Sequence, residues 1–167
     1  MRIALLPIGD VHDVILGFLS SELSVFGDVE ILTEVDVPKT AYRAHRRQYL
    51  ASDLKDLAGA YPHDKVLAIT NVDIYEDPLN FVFGLADIRG KSALISLHRL
   101  KDDDVELFKL RAAKEAFHEL GHTLGLRHCG NRSCVMTFSN CLADTDYKEK
   151  DYCYFCTLRL KTAGILG

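Results

Sequence analysis

The chain of 167 residues lacks any long apolar run. A helix that crosses a membrane needs about 18 to 20 consecutive apolar residues, and no segment approaches that length. The start, MRIALLPIGDVHDVILGFL, contains short apolar stretches, but Asp10, His12 and Asp13 interrupt them before a signal-peptide core is complete. We therefore expect a soluble, cytoplasmic protein with no membrane partner.

The sequence also lacks an excess of positive charge. Its 20 Lys and Arg residues are outnumbered by 24 Asp and Glu residues, and the formal net charge is −4. Nucleic-acid-binding domains are usually basic. The one basic run, Arg43 to Arg47, is interrupted by Ala44 and His45, and we interpret it as the solvated face of a helix. Nucleic acid is therefore not an expected partner.

Internal repeats and low-complexity segments are absent as well. The hydrophobic fraction of 48% and the charged fraction of 26% are typical of a globular protein. A chain of this length fits one domain with a substantial core. We expect a single domain that acts as a monomer.

In the first half of the chain, predicted strands alternate with predicted helices. Short apolar segments bounded by turn residues predict five strands, at 2–8, 30–35, 65–70, 80–87 and 92–97. Helices are predicted at 11–25, 41–57 and 146–162. The second of these depends on apolar residues at helical spacing: Tyr42, Tyr49, Leu50, Leu54 and Leu57. The alternation predicts a mixed sheet with a parallel portion and covering helices.

A further, long helix is predicted to begin at 102–104. Asp103 followed by Glu106 resembles a capping box, and carboxylates suit a helix N-terminus. Apolar residues then recur at three- and four-residue spacing: Leu110, Ala113, Phe117, Leu120 and Leu124. His118 and His122 lie within about 40° of each other and point away from this stripe. One face is therefore expected to pack on the sheet, and the other to present two imidazoles.

This helix contains the segment HELGHTLGLRH at 118–128. Histidines at i and i+4 can bind one zinc ion, and Glu119 can reach a water on that metal. His128 would face away from the metal if the helix continued, because six residues correspond to about 240° of rotation beyond His122. Gly125 can end the helix in a left-handed turn and bring His128 back. The pattern predicts a site with three histidine ligands and an open position for water.

With this motif the chain resembles the metzincin clan of zinc peptidases, and it resembles one branch, the archaemetzincins, more closely. The archaemetzincin pattern continues with a cysteine, four residues, a cysteine, one residue, a methionine, a spacer and a CxxC pair. The chain has the same order, with a spacer one residue shorter than is usual: Cys129, Cys134, Met136, Cys153 and Cys156. The matching region covers residues 118–156.

The resemblance implies an α+β fold with a five-stranded, mostly parallel sheet. The antiparallel edge strand of that sheet borders the substrate cleft, and segment 80–87 matches it in order and position. Gly84 within this segment allows a close approach or marks a bulge. The family pattern also implies a turn at Met136 beneath the metal. We divide the domain into residues 1–125, with the sheet and active-site helix, and a small zinc-stabilised subdomain at 126–167.

The four cysteines of the pattern suit a closed tetrahedral zinc site. Such a site is structural, because no coordination position remains for water, and the expected cofactors are therefore two zinc ions per chain. Disulfides are disfavoured in a reducing compartment, and the spacing disfavours free thiols. Cys141 is left over, and we assign it no role; the alternative is that it competes as a ligand.

The implied function is that of a zinc metallopeptidase acting on a peptide or protein substrate. Glu119 would activate a zinc-bound water for attack on the peptide carbonyl. Some metzincins have an oxyanion-assisting tyrosine two residues after the turn methionine, where this chain has Phe138. That assistance is either absent here or comes from elsewhere, with Tyr147, Tyr152 and Tyr154 as the residues to examine. The alternative function is a catalytically weak or inactive zinc-stabilised peptide-binding protein. Glu119 favours the enzyme, since a purely structural zinc site does not need that carboxylate.

Overall fold

The computed structural model describes all 167 residues of the chain. Eight strands and five helices follow one another in this order: β1 Arg2–Ile8, α1 Asp13–Leu23, β2 Asp28–Ile31, β3 Tyr42–Arg43, β4 Gln48–Leu50, α2 Ala51–Asp56, β5 Lys65–Thr70, β6 Ile74–Tyr75, β7 Gly84–Ala86, β8 Ser92–Ser96, α3 Val105–Thr123, α4 Leu142–Tyr147 and α5 Tyr154–Thr162. Short 3₁₀ helices lie at Ser24–Phe26, Lys39–Ala41 and Leu57–Ala60. No helix is both long and apolar enough to span a membrane.

The main sheet has five strands in the order β2-β1-β5-β8-β7. All neighbouring pairs are parallel except β7 and β8, which are antiparallel at one edge. The predicted fold class is therefore confirmed. The edge strand is shorter than predicted, since only Gly84–Ala86 of segment 80–87 forms strand pairs.

Both faces of this sheet are covered, which explains the continuous apolar runs of its central strands. Along β1, Ile3 and Leu5 pack into a core shared with α1 and α3. Ala4 and Leu6 point to the opposite face and pack with α2. Neighbouring residues of a strand alternate between faces, so an unbroken apolar sequence fills two separate cores.

The helix predicted at 41–57 is wrong over most of its length. Tyr42 and Tyr49 are instead partners across an antiparallel hairpin of β3 and β4, with ring centroids 5.0 Å apart. β4 also pairs with β6 to make a small three-stranded sheet. Seven residues separate the two tyrosines, a spacing that fits two helical turns as well as a hairpin. The basic run at 43–47 consequently forms the hairpin turn and lies on no helix, and Arg47 has a positive φ of 55°.

The long helix α3 extends from Val105 to Thr123. Its N-cap is Asp104, whose carboxylate accepts hydrogen bonds from the backbone N–H groups of Glu106 and Leu107, so the predicted capping box at Asp103 is wrong. Leu110 is 40% exposed, and the helix is buried only from Arg111 onward. From there α3 packs between the sheet and the C-terminal region. Both faces of its second half are thereby enclosed.

The helix predicted at 146–162 is also wrong at its start. α4 ends at Tyr147, and α5 begins only at Tyr154. Between them the chain bonds to the loop after α3: Glu149 N–H donates to Ser133 O at 2.8 Å, and Val135 N–H donates to Asp151 O at 3.0 Å. These bonds lie between segments distant in sequence, so local periodicity carried no sign of them.

Candidate metal centres and active-site cleft

Three histidines converge at the C-terminal end of α3. His118 and His122 lie one turn apart on the helix, and His128 follows a turn in which Gly125 has a φ of +97°. One nitrogen from each of the three rings lies within 4.8 Å of the others. The left-handed turn expected at Gly125 is present, and it brings the third imidazole back to the first two.

The hydrogen bonds of the two helical histidines determine which nitrogen is free. His118 Nδ1 lies 2.8 Å from Val135 O, and His122 Nδ1 lies 2.9 Å from Leu126 O. A carbonyl only accepts, so both Nδ1 atoms carry the proton and both Nε2 atoms present lone pairs. These two Nε2 atoms are 3.1 Å apart.

Such a contact suits a shared metal ion. Two lone pairs at this distance repel each other unless a cation lies between them. Zinc–nitrogen bonds of 2.0–2.1 Å imply about 3.3–3.4 Å between ligands at tetrahedral angles, close to the observed separation. Burial lowers the pKa of His118 well below its ordinary value and also lowers the pKa values of His122 and His128. The neutral imidazole is the form that a metal requires.

Glu119 lies beside the histidines, and its carboxylate accepts no hydrogen bond from another residue although it is only 5% exposed. Burial, reinforced by the nearby carboxylate of Glu115, raises its pKa well above the ordinary value. Gly84 of β7 makes room for it: a Cβ at Gly84 would lie 2.6 Å from Glu119 Oε1 and 2.6 Å from Leu94 O. The close approach expected at Gly84 is therefore to the candidate catalytic carboxylate.

Met136 is fully buried and packs against the same turn of α3. A Cβ at Gly121 would lie 2.5 Å from Met136 Sδ, so the glycine within HELGH allows this contact. The carbonyl of Met136 accepts the backbone N–H of Cys129 at 3.0 Å. The methionine turn thus joins the histidine group to the cysteines.

The four cysteines of the second group also lie close together. Their sulfur atoms lie within 4.8 Å of one another, with Cys129–Cys153 at 3.7 Å and Cys134–Cys156 at 3.8 Å. A disulfide requires about 2.05 Å. Zinc–sulfur bonds of about 2.3 Å at tetrahedral angles imply about 3.8 Å between ligands, so the four sulfurs fit one zinc ion.

The thiols differ in their surroundings. Burial raises the pKa of Cys134 and of Cys156. Burial acts in the same direction on Cys153, but hydrogen bonds from the Cys156 backbone N–H and from neighbouring thiols outweigh it and lower the pKa of Cys153 to about 7. Cys141 is exposed and lies outside the group, at the N-cap of α4.

A cleft of about 490 Å³ opens between β7 and α3, and the three histidines and Glu119 line it. Phe138 also lines the cleft, and its ring lies 5.1 Å from that of His128. None of the three tyrosines considered for oxyanion assistance lines it. Tyr152 donates its hydroxyl to Phe117 O at 2.7 Å, whereas Tyr147 and Tyr154 are exposed elsewhere. The structure therefore gives no support to these three tyrosines as oxyanion-assisting residues.

Sequence reasoning missed a buried ion pair at this cleft. Glu115 lines the cleft one turn before Glu119, and its Oε1 lies 3.0 Å from Lys148 Nζ. Lys148 is only 1% exposed although it follows α4 in a loop. The four-residue spacing of the two glutamates could have indicated Glu115. Nothing local indicated Lys148, which reaches α3 only through the tertiary fold.

Comparison with known proteins gives one consistent result. The profile of peptidase family M54 matches residues 27–162. The archaemetzincin of Methanocaldococcus jannaschii is 48% identical over 173 aligned positions, which cover 99% of this chain and 96% of that protein. The archaemetzincin of Pyrococcus furiosus is 42% identical, with 95% of this chain and 92% of that protein covered.

Solved structures agree with the sequence matches. The crystal structure of archaemetzincin from Methanopyrus kandleri has a TM-score of 0.90 at 38% identity and covers 97% of this chain and 94% of that one. The archaemetzincin of Archaeoglobus fulgidus, complexed with malonate, has a TM-score of 0.89 at 38% identity, with 95% and 99% covered. Metalloproteinase-II of Bacteroides fragilis has a TM-score of 0.56 at 15% identity, covers 96% of this chain and 51% of that one, and shares the fold alone.

Proposed function

This chain belongs to peptidase family M54, the zinc metallopeptidase family that includes the archaemetzincins, and from that membership we propose that it hydrolyses peptide bonds with Glu119 as the general base. The observation that carries the proposal is the free carboxylate of Glu119, which faces the cleft beside three convergent imidazoles. A binding protein without catalysis has no need of a buried carboxylate that lacks a protein partner.

We assign a catalytic zinc to His118, His122 and His128. A zinc ion held there supplies a Lewis acid, which makes a bound water more acidic and stabilises negative charge on the substrate's carbonyl oxygen. The carbonyls of Val135 and Leu126 orient two of the ligand rings. Loss of such a supporting hydrogen bond typically costs about 10–100-fold in metal affinity or activity.

Glu119 would transfer a proton during hydrolysis of the peptide bond. Its carboxylate accepts a proton from the attacking water and returns it to the leaving amine. Burial raises the pKa of Glu119 above its ordinary value, which is the direction that strengthens a carboxylate as a base. Gly84 leaves room for the Glu119 side chain itself, because a Cβ at that position would lie 2.6 Å from Glu119 Oε1.

A second zinc would be held by Cys129, Cys134, Cys153 and Cys156 and has a structural role. Cys129 directly follows His128, so this second ion would also fix the position of the third histidine. We further propose that residues 126–167 form a subdomain dependent on this metal, that the protein acts as a monomer, and that its substrate is a peptide or protein.

The test is cleavage of a diverse peptide mixture, followed by mass spectrometry, for wild type and Glu119→Ala at equal zinc content. Wild type should produce new termini, and Glu119→Ala should produce about 10²–10⁴-fold fewer, the usual contribution of a positioned general base. Glu106→Gln is the matched control, because Glu106 lies on the exposed start of the same helix and pairs only with Lys109.

Two results would count against the proposal. Equal cleavage by Glu119→Ala would remove Glu119 from the mechanism. An unchanged mixture with zinc-loaded, folded wild type would favour the peptide-binding alternative.

A further inference from the structure

A second cavity, of about 690 Å³, lies beside the cleft, where the end of α3 meets the turn after β7 and the end of α5. No aspartate or glutamate lines this cavity. Four of its lining residues carry cationic side chains: Lys65, Arg89, Arg127 and Arg159. The net charge of the whole chain is −4, so the positive charge at this cavity is opposite in sign to the charge of the protein as a whole.

The three arginines of this group have no ion pair and no side-chain hydrogen bond. Three arginines elsewhere are held by carboxylates, among them Arg99 by Asp73 at 2.7 Å and Arg111 by Asp146 at 2.6 Å. Lys65 is already engaged, since its Nζ donates to Gly90 O and to Thr123 O. The arginines therefore keep their donors free for a ligand.

The cavity adjoins the candidate active site through Arg127, which directly precedes His128 and lines both the cavity and the cleft. Arg89 is tied to the same region, because its backbone N–H donates to His122 O at 3.0 Å. Its φ is +61°, a left-handed conformation uncommon outside glycine and often associated with functional sites. A Cβ at Gly125 would lie 3.3 Å from Arg89 Cγ, so this side chain lies over the turn between the second and third histidines.

From these observations we propose that Arg89, Arg127 and Arg159 bind carboxylates of an acidic segment that flanks the cleaved bond in the peptide substrate. This inference rests on the proposed peptidase function and adds a substrate class to it. Guanidinium groups bind carboxylates through two parallel hydrogen bonds, and clusters of arginine recognise acidic motifs. A peptide in the cleft passes Arg127, which places its flanking residues at the cavity.

A purely structural role for the arginines makes a different prediction. Cations near the end of a helix stabilise its dipole, and in that case their removal would lower stability without changing selectivity. Lys65 already binds the carbonyl of Thr123 in the last turn of α3. The guanidinium groups of the three arginines donate to none of the terminal carbonyls, and only the backbone N–H of Arg89 does so, to His122 O.

The experiment measures binding without cleavage, by fluorescence anisotropy with zinc-loaded Glu119→Gln. Labelled peptides of equal length carry three glutamates or three glutamines, placed in one series before and in a second series after a central apolar stretch. We expect one of the glutamate peptides to bind about tenfold more tightly than its glutamine counterpart, and the preference to weaken with salt.

The double substitution Arg89→Gln and Arg127→Gln should abolish this preference, so that the glutamate and glutamine peptides bind with about equal affinity. Arg47→Gln is the matched control, because Arg47 also lacks an ion pair but lies at the distant hairpin, and it should leave the preference unchanged. Melting curves of each variant show whether the fold is retained.

Three outcomes would overturn the inference: no glutamate preference in either series, a preference that survives the double substitution, or a single-stranded oligonucleotide that binds through these arginines more tightly than the acidic peptides. The result is separable from the test of the peptidase. Cleavage by wild type without an acidic preference rejects only this inference, whereas a preference without cleavage rejects the peptidase.

Discussion

The histidine group and the cysteine group lie close together in sequence, yet the protein builds them differently. Two of the three histidines lie on α3, a 19-residue helix whose second half is enclosed, and backbone carbonyls orient their rings. The cysteines come from the loop after α3 and from the start of α5, with no helix or strand between residues 124 and 141. We therefore expect the fold to position the histidine group, and a metal bound by the cysteine group to stabilise the fold around it.

The surrounding contacts make the same distinction. α3 contributes its buried apolar residues to a core of 26 residues, so the positions of His118 and His122 do not depend on a metal. The loop at 124–141 contributes four residues to the same core, Leu126, Cys134, Val135 and Met136, but no helix or strand fixes its backbone. Ion pairs of Lys148 with Glu115 and of Arg111 with Asp146 are among the polar contacts between the C-terminal region and α3. We therefore expect metal loss from the two groups to have different consequences.

The largest expected effect comes from removing one ligand of each group in turn. Cys134→Ser should lower the free energy of unfolding by on the order of 5 kcal/mol, because binding energy at a structural zinc site is folding energy. For a chain of this size the melting temperature falls by about 10–20 °C. His122→Ala should leave the melting temperature near that of wild type and remove activity instead.

Calorimetry and zinc analysis of both variants test this contrast, with Cys141→Ser as the control. Cys141 is exposed and outside the group, so its replacement should retain two zinc ions and wild-type stability. Equal destabilisation by Cys134→Ser and His122→Ala would show that the two groups do not divide the roles in this way.

A smaller effect is expected from Gly84→Ala, which perturbs the catalytic side without removing a ligand. The added Cβ would clash with Glu119 and with Leu94 O, and the flexible glutamate is the partner that can move. Displacement of a positioned catalytic group by about 1 Å commonly lowers kcat by about 10²-fold. Zinc content should stay unchanged.

Peptide hydrolysis assays at saturating substrate measure this loss. Gly17→Ala is the control, since a Cβ at Gly17 meets no atom within 4 Å and alanine favours a helix. If Gly84→Ala kept full activity, the tight contact between β7 and Glu119 would have no role in catalysis.

The smallest expected effect concerns the ion pair between Arg111 of α3 and Asp146 of α4, and its loss in acid. Hydrogen bonding to Arg111 lowers the pKa of Asp146 below its ordinary value. The pair therefore contributes stability above the unfolded pKa of about 4, and that contribution is lost as pH falls through the lower folded pKa. Asp146→Asn should cost about 1 kcal/mol or less at pH 7, because the Asp146 side chain is 37% exposed.

Urea unfolding of wild type and Asp146→Asn between pH 7 and pH 2 measures this difference. The gap between the two proteins should be constant down to about pH 5 and then close. Asp103→Asn, an exposed change near the start of α3, is the control. A gap that widens in acid would contradict the assigned direction of the pKa shift.

Much of the candidate site could be predicted from the sequence because its main features are local. The helical positions of His118 and His122, and the left-handed turn at Gly125, follow from residue spacing within one segment. Predictions from local spacing were wrong where the spacing fits a helix and a hairpin equally well, as for Tyr42 and Tyr49. They were also wrong where the backbone bonds to a segment distant in sequence, as between α4 and α5. Periodicity describes one stretch of chain and contains no information about its partners.

The sequence by itself therefore determined where the central strands lie along the chain, the position of the helix that carries His118 and His122, and the family to which the chain belongs. Only the tertiary structure decided that Gly84 faces Glu119, that Lys148 is buried against Glu115, and that Arg89, Arg127 and Arg159 surround one cavity. The physical reason is that helix periodicity and turn conformation depend on neighbouring residues. Packing, buried charge pairs and surface cavities arise between residues that meet only after the chain has folded.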